Sequence, residues 1–292
     1  MAKWKGESRG NVLGYKIFIF WLRNFGLGFT YLFLYFVVFY FLLFSGKAFG
    51  FAWRYFRQIQ GFGWIKSLYM VYVNYYIFGQ TILDKIALRA GLKAKFKFRF
   101  DGKETFESVV LKNEGVILIS AHVGNFEMAA ESMNLEGRSV SIVTLDSERA
   151  DIKKYLETQG AEKGIKFVKV EDDLSHIFKI AKAISDKGIV CFTGDRYKEG
   201  VKFLETKFLG KMAKFPAGPF EVAVRLKVPV VFVFGMKATR RSYQFYGRLP
   251  HNRINPTPQE LLEEFVAVLE KMVKQYPEQW FNFYDFWDLQ KN

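Results

Sequence analysis

Residues Phe25–Ser45 (FGLGFTYLFLYFVVFYFLLFS) form a run of 21 residues without a charge, and no other feature constrains the chain so tightly. At 1.5 Å rise per residue, a helix of about that length matches the roughly 30 Å hydrocarbon core of a bilayer. A cleaved signal peptide is the competing reading. Its apolar core is normally about 7–15 residues long and ends at a small-residue cleavage site, whereas this run is longer and leads on to Phe49, Phe51 and Trp53. The run therefore reads as a retained membrane anchor. Both flanks are basic, with Lys3, Lys5, Arg9, Lys16 and Arg23 before it and Lys47, Arg54, Arg57 and Lys66 after it. Orientation stays open, and a helix lying in one leaflet fits as well as one that crosses it.

Composition extends the argument. The 33 Phe and 15 Tyr exceed what a core of this size needs, which puts some rings against lipid. An excess of 43 Lys and Arg over 29 Asp and Glu gives a net charge of +14, so the surface attracts polyanions: nucleic acid, anionic membrane, a phosphorylated substrate or an acidic carrier protein. One cysteine, Cys191, excludes an intramolecular disulfide, and with only three His it argues against a Cys and His zinc site. No metal is expected.

Residues 1–92 read as a helical, membrane-associating region, with Gly61, Gly63 and Gly79 as breaks. Residues 93–292 read as an α/β domain. It opens with Lys93, Lys95, Lys97 and Arg99 alternating with Ala94, Phe96, Phe98 and Phe100, a period of two that predicts a strand with a solvated basic face. Short apolar runs at Val116–Ser120, Ser139–Leu145, Lys166–Val170, Ile189–Thr193 and Val228–Phe234 then alternate with helical stretches near 125–134, 148–158, 173–187 and 216–227. That rhythm predicts a mainly parallel central sheet flanked by helices, with ligands at the carboxyl ends of the strands. Thr257-Pro258-Gln259-Glu260 has the form of a capping box that opens a last helix to about Lys274.

Several motif matches fail on context. Gly6-Glu7-Ser8-Arg9-Gly10 fits a nucleophile-elbow pattern but lacks a preceding strand. Gly46-Lys47, Gly102-Lys103 and Gly210-Lys211 lack the Ser or Thr of a phosphate-binding loop. Cys191 reads as a buried core thiol, and His176 and His251 as surface residues. His122 differs, because it falls two residues past the strand Val116–Ser120, with Glu127 five positions on. A turn at Gly124 and a helix from Asn125 can return Glu127 to the imidazole, fixing its tautomer and making His122 a base.

The block His122-Val123-Gly124-Asn125-Phe126-Glu127 resembles the H-x-G-N-[FW]-E element of the bacterial lipid A biosynthesis acyltransferases, within the glycerolipid and lysophospholipid acyltransferase superfamily. Gly194-Asp195-Arg196 is similar to that family's post-strand D-R element. Phe208, Gly210, Ala213, Pro216, Gly218 and Pro219, followed by Val228-Pro229-Val230-Val231, match a third block, and Tyr276-Pro277-Glu278-Gln279-Trp280 a fourth. After Trp280 the chain departs, with Phe281-Asn282-Phe283-Tyr284-Asp285-Phe286-Trp287 where the family usually has a second Trp and basic residues.

The resemblance implies a membrane-associated acyltransferase at the inner membrane, its catalytic domain cytoplasmic, that uses acyl carrier protein or coenzyme A thioesters as co-substrate and no separate cofactor. The acceptor would be amphipathic. His122 and Glu127 would be catalytic, with Glu127 orienting the base. Gly124, Asn125, Asp195 and Arg196 would bind substrate: amides near Gly124 and Asn125 holding an oxyanion, and Arg196 an anionic group unless it serves a structural salt bridge. No nucleic-acid partner is expected on this reading. The rival, a non-catalytic basic protein bound to membrane or nucleic acid, needs only the charge and the anchor.

Overall fold

Val116–Ser120 is apolar but for its last residue, and all five residues are buried, as in a strand covered on both faces. The computed structural model describes residues 12–89, 91, 95–126, 128, 137–144, 165–170, 173, 175–196, 200–252 and 254–287. Among them, Val116–Ser120 (β2) is the middle of a seven-stranded sheet. Its other strands are β1 (Lys97–Asp101), β3 (Val140–Thr144), β4 (Ile165–Lys169), β5 (Ile189–Thr193), β8 (Val230–Thr239) and β9 (Ser242–Arg248), in the order β1-β9-β8-β2-β5-β3-β4. Every pairing is parallel except the β8–β9 hairpin. The expected mainly parallel sheet is therefore what forms. β1 lies at its edge, with Lys97 and Arg99 exposed and Phe98 and Phe100 half-buried.

Alternation along the strands divides the core in two. Val116, Leu118, Cys191, Val231 and Val233 face α4 (Lys103–Val110), whose Phe106, Val109 and Val110 cover them. Burial there pushes the Cys191 thiol up to about 12, which keeps it neutral. Ile117, Ile119, Val190, Phe192, Phe232 and Phe234 face the opposite way, toward Leu262 and Phe265 of a C-terminal helix, and the N-terminal helices belong to the same cluster. Two further helices, α5 (Ser175–Ser185) and α6 (Gly218–Leu226), flank the sheet before that C-terminal helix, α7 (Pro258–Gln275). Thr257 caps α7 as expected: its hydroxyl accepts from the Glu260 amide at 3.2 Å while the Glu260 carboxylate accepts from the Thr257 amide at 2.7 Å.

The N-terminal region comprises α1 (Val12–Phe44), α2 (Lys47–Arg54), a π-helical turn at Tyr55–Ile59 and α3 (Trp64–Arg89). Among the described residues, only Lys16–Phe44 is a helical stretch long and apolar enough to cross a membrane. Gly61 and Gly63 do fall in a break. Gly79 does not: it lies inside α3, where a Cβ would come within 2.7 Å of Leu34 Cδ1, so its role is to let α1 approach. The unforeseen break is Gly26, whose φ of 77° and ψ of 173° bend α1. Thr30 and Asn24 donate to the carbonyls of Gly26 and Phe20 at 2.9 and 2.7 Å beside the bend.

The basic and aromatic segment 202–215 folds into an antiparallel hairpin, β6 (Phe203–Phe208) and β7 (Lys211–Pro216), turned through left-handed Leu209 and Gly210. Other expectations need correction. His176 is buried, because on α5 it shares a face with Ile180 and Ile184 at spacings of four; His251 is exposed, as anticipated. Of the helix expected at 125–134, Phe126 and Met128 are helical and most of the remainder lies outside the described residues, as does all of 148–158.

Candidate active site

β2 and β5 run parallel and in register, with Ser120 opposite Thr193. Residues two places beyond each end therefore face one another, and these are His122 and Asp195. The Gly194 amide donates to Ser120 O at 2.8 Å, and a Cβ on Gly194 would meet Ile119 at 3.0 Å and the Phe220 and Phe265 rings at 3.2 Å. Asp195 is so held that its Oδ1 lies 2.8 Å from His122 Nδ1 while its Oδ2 accepts the His122 backbone amide at 3.0 Å.

The carboxylate side chain is 2% exposed and the imidazole 31%. Burial alone would raise the Asp195 carboxyl. The His122 charge, the hydrogen bonds from its ring and amide, and the Arg196 charge overcome that and hold Asp195 below the usual carboxylate range. An ionised Asp195 accepting the Nδ1 proton puts the basic lone pair of the ring on Nε2. Asp195 thus faces the imidazole, where a bound group was expected. Glu127 lies outside the described residues.

The loop after β2 is fixed by its backbone. Gly124 N donates to Gln279 O at 2.8 Å, Asn125 N to Gly235 O at 2.6 Å, and Phe281 N to His122 O at 3.1 Å. Gly124 has φ 62°, and a Cβ there would lie 2.2 Å from Gly235 O, so both conformation and space demand glycine. The Asn125 side chain is buried and donates to Thr81 O of α3 at 2.9 Å. These bonds correct the expectation that the Gly124 and Asn125 amides are oxyanion donors: both are committed to carbonyls of the protein.

Arg196 donates from Nη2 to Phe281 O at 2.6 Å, and its guanidinium lies 5.9 Å from the Tyr284 ring centroid. Gln279, not singled out beforehand as a contact, clasps β8: its Oε1 accepts from Lys237 N and its Nε2 donates to Lys237 O, each at 2.8 Å. Trp280 and Phe208 pack with ring centroids 5.4 Å apart, which brings the hairpin to the same end of the sheet. All four blocks of the chain converge here. The model of the bacterial lipid A biosynthesis acyltransferase family matches residues 69–288, which is well over half of the chain and includes every one of these blocks.

The chain belongs to that family. It is an acyltransferase of the lipid A biosynthesis type. A search of curated proteins finds no match. The family match begins within α3, so α1 precedes it. Among the described residues of this acyltransferase, no group of three His, Cys, Asp or Glu side chains is placed to hold a metal ion.

Behind the loop lies a second buried pair, which the sequence did not announce. Lys237 Nζ is bonded to Asp84 Oδ2, and the hydroxyls of Tyr31 and Tyr243 donate to the same carboxylate. Lys237 Nζ also donates to Arg240 O at 3.0 Å. Burial pushes Asp84 up and Lys237 down, each opposed by the charge of the other. This cluster joins α1, α3, β8 and β9 of the acyltransferase. Asp84 is the sole acidic residue of α3, and that is the signal that could have marked it.

Proposed function

We propose that this acyltransferase moves a fatty acyl group from a thioester of acyl carrier protein or coenzyme A to a hydroxyl or amine of an amphipathic lipid acceptor. The reaction takes place at the inner membrane, with the α/β domain on the cytoplasmic side. The observation that carries the mechanism is the His122–Asp195 pair beyond the ends of two parallel strands. His122 Nε2 takes the acceptor's proton as its oxygen or nitrogen attacks the thioester carbonyl. The tetrahedral adduct collapses by breaking the C–S bond, and the proton passes from the imidazolium to the departing thiolate. Asp195 holds the ring in the basic tautomer and stabilises the imidazolium; general-base assistance of this kind supplies about 10²–10⁴-fold. Arg196 takes an anionic group of donor or acceptor in partnership with its Phe281 contact, and Glu127 assists the same base. Membrane attachment rests on α1 and on the basic surface.

Thiol release from an acyl thioester, followed with the purified full chain and a lipid acceptor, tests the reading. Wild-type protein should release thiol and yield acylated acceptor, and His122→Ala should do neither. A wild-type chain that binds lipid but leaves the thioester intact would overturn the catalytic reading in favour of a binding protein.

A further inference from the structure

We propose that α1 lies along one leaflet of the bilayer, with the folded domain behind it, and does not cross the membrane. The proposal rests on the membrane attachment assigned above and adds its geometry. The buried face of α1 runs from Ile19 through Leu22, Leu27, Tyr31 and Leu34 to Val38, a length of about 28 Å at 1.5 Å per residue. All six residues join the hydrophobic cluster that contains Phe232, Phe265 and Trp280. Through this face the helix packs on α3, which is itself bonded to the α/β domain through Asn74, Thr81 and Asp84, over a length close to the thickness of a bilayer core, roughly 30 Å. A crossing helix would draw the folded domain into the hydrocarbon with it.

Charge decides the orientation. Gly28, near the middle of the Lys16–Phe44 stretch, accepts a hydrogen bond from Arg240 Nη2 at 2.8 Å, and a Cβ at Gly28 would lie 3.9 Å from Arg241 Nη2. Both arginines are exposed. On a crossing helix they would sit at the bilayer centre, where exposed guanidinium groups are strongly disfavoured; on a helix lying in the plane they reach the headgroup phosphates. The bend at Gly26 agrees, since a broken helix at the interface keeps access to water for its interrupted backbone groups.

The opposite face of α1 supplies the lipid contact. Phe25, Phe29, Phe36, Tyr40 and Phe44 are exposed at spacings of four or seven along one stripe, with exposed Arg23 and Lys47 at its ends. Trp64 and Ile65, also exposed and followed by Lys66, extend the apolar surface at the start of α3. Farther along α3, exposed Phe78 packs on Phe281 with ring centroids 5.1 Å apart, and Phe281 is bonded to His122. The apolar surface of α3 therefore continues to the chain beside the base, a route by which acyl chains can approach from the side of a leaflet.

The test is labelling of Ser8→Cys and Lys47→Cys, made singly in the full chain, with a membrane-impermeant maleimide on spheroplasts before and after lysis. Native Cys191 is buried, and the unsubstituted chain corrects for it. The proposal expects both positions to be shielded until lysis and then labelled alike. Labelling of one position before lysis and the other only after it would overturn the in-plane geometry while leaving membrane attachment intact. Labelling of both before lysis would keep the geometry and overturn the cytoplasmic placement. A chain found in the soluble fraction, its apolar face covered by a second copy, would overturn both. Arg241→Ala should lower flotation with phosphatidylglycerol-rich vesicles about 3–10-fold and leave binding to phosphatidylcholine vesicles unchanged. Equal flotation would remove the headgroup role.

Discussion

Two buried carboxylates in this molecule do opposite work, and what separates them is the exposure of the base each one holds. Asp84 and Lys237 have side chains 0% and 4% exposed, with Tyr31 and Tyr243 closing over them. Asp195 is equally buried at 2%, yet its partner His122 is 31% exposed. A pair sealed on every side cannot meet a substrate and acts as a clamp among α1, α3 and the β8–β9 hairpin. A sealed acid with an accessible base has the exposure that the proposed mechanism requires. The electrostatics follow the same division: burial of both partners pushes Asp84 up, whereas the half-open His122 pair and Arg196 hold Asp195 down.

The strongest way to break this contrast is to remove one member of each pair. His122→Ala should lower kcat by about 10²–10⁴-fold while the chain still folds, with a stability loss limited to the ring bond that buried Asp195 gives up, since its bond to the residue 122 amide and the charge of Arg196 remain. Asp84→Ala should do the reverse. Leaving Lys237 charged and unpaired in the interior costs about 3–5 kcal/mol of stability, read as a lower urea midpoint, while the kcat of molecules that remain folded changes little. A stable Asp84→Ala protein with lost turnover would put the clamp in the chemistry and dissolve the distinction.

Asp195→Asn comes next and sharpens the assignment within the site. An amide keeps the shape but no longer enforces the basic tautomer, so kcat should fall about 10²–10³-fold with KM nearly unchanged. Glu127→Gln, compared in the same assay, ranks the two acids. Should Glu127→Gln prove the more damaging while Asp195→Asn turns over normally, Asp195 would be reassigned to holding the His122 backbone. Arg196→Ala should lose about 10–100-fold in kcat/KM, on the basis of roughly 1.5–3 kcal/mol for a hydrogen bond to a charged group, and only for an anionic acceptor or donor. An equal loss with neutral substrates would mean that its bond to Phe281 O serves the frame.

How much of this was legible depended on the reach of each interaction along the chain. Val116–Ser120 and Ile189–Thr193 were readable to the residue because strands buried on both faces need continuous apolar runs. The blocks around His122, Asp195 and Gln279 were readable as patterns, and the strand-end rule placed the first two correctly. Their contacts were not. The contact between His122 and Asp195 could not be read, because a carboxylate 73 positions away leaves no local trace. Ser242–Arg248 went unread because its hairpin turns on Arg240 and Arg241 without an Asn-Gly or Asp-Gly signal. Gly79 reads as a helix break because sequence shows that a side chain is missing and not what approaches the gap.

The smallest expected effect is an acid dependence that gives the two carboxylates opposite signs. Asp195 has a folded value held below the ordinary one of about 3.9, so the folded state binds its proton more weakly than the unfolded chain does. Its contribution to stability is present above about pH 4 and is lost as pH falls through the folded value. Asp84, raised by burial, runs the other way: its contribution is present below about pH 4 and is lost as pH rises through the folded value. Calorimetry from pH 6 to pH 3 should therefore show the stability gap between wild type and Asp195→Asn narrowing on acidification. The gap between wild type and Asp84→Asn should widen over the same range. Parallel trends for the two variants would mean that both acids sit in equivalent environments, and the division between a clamp and a site would have to rest on kinetics alone.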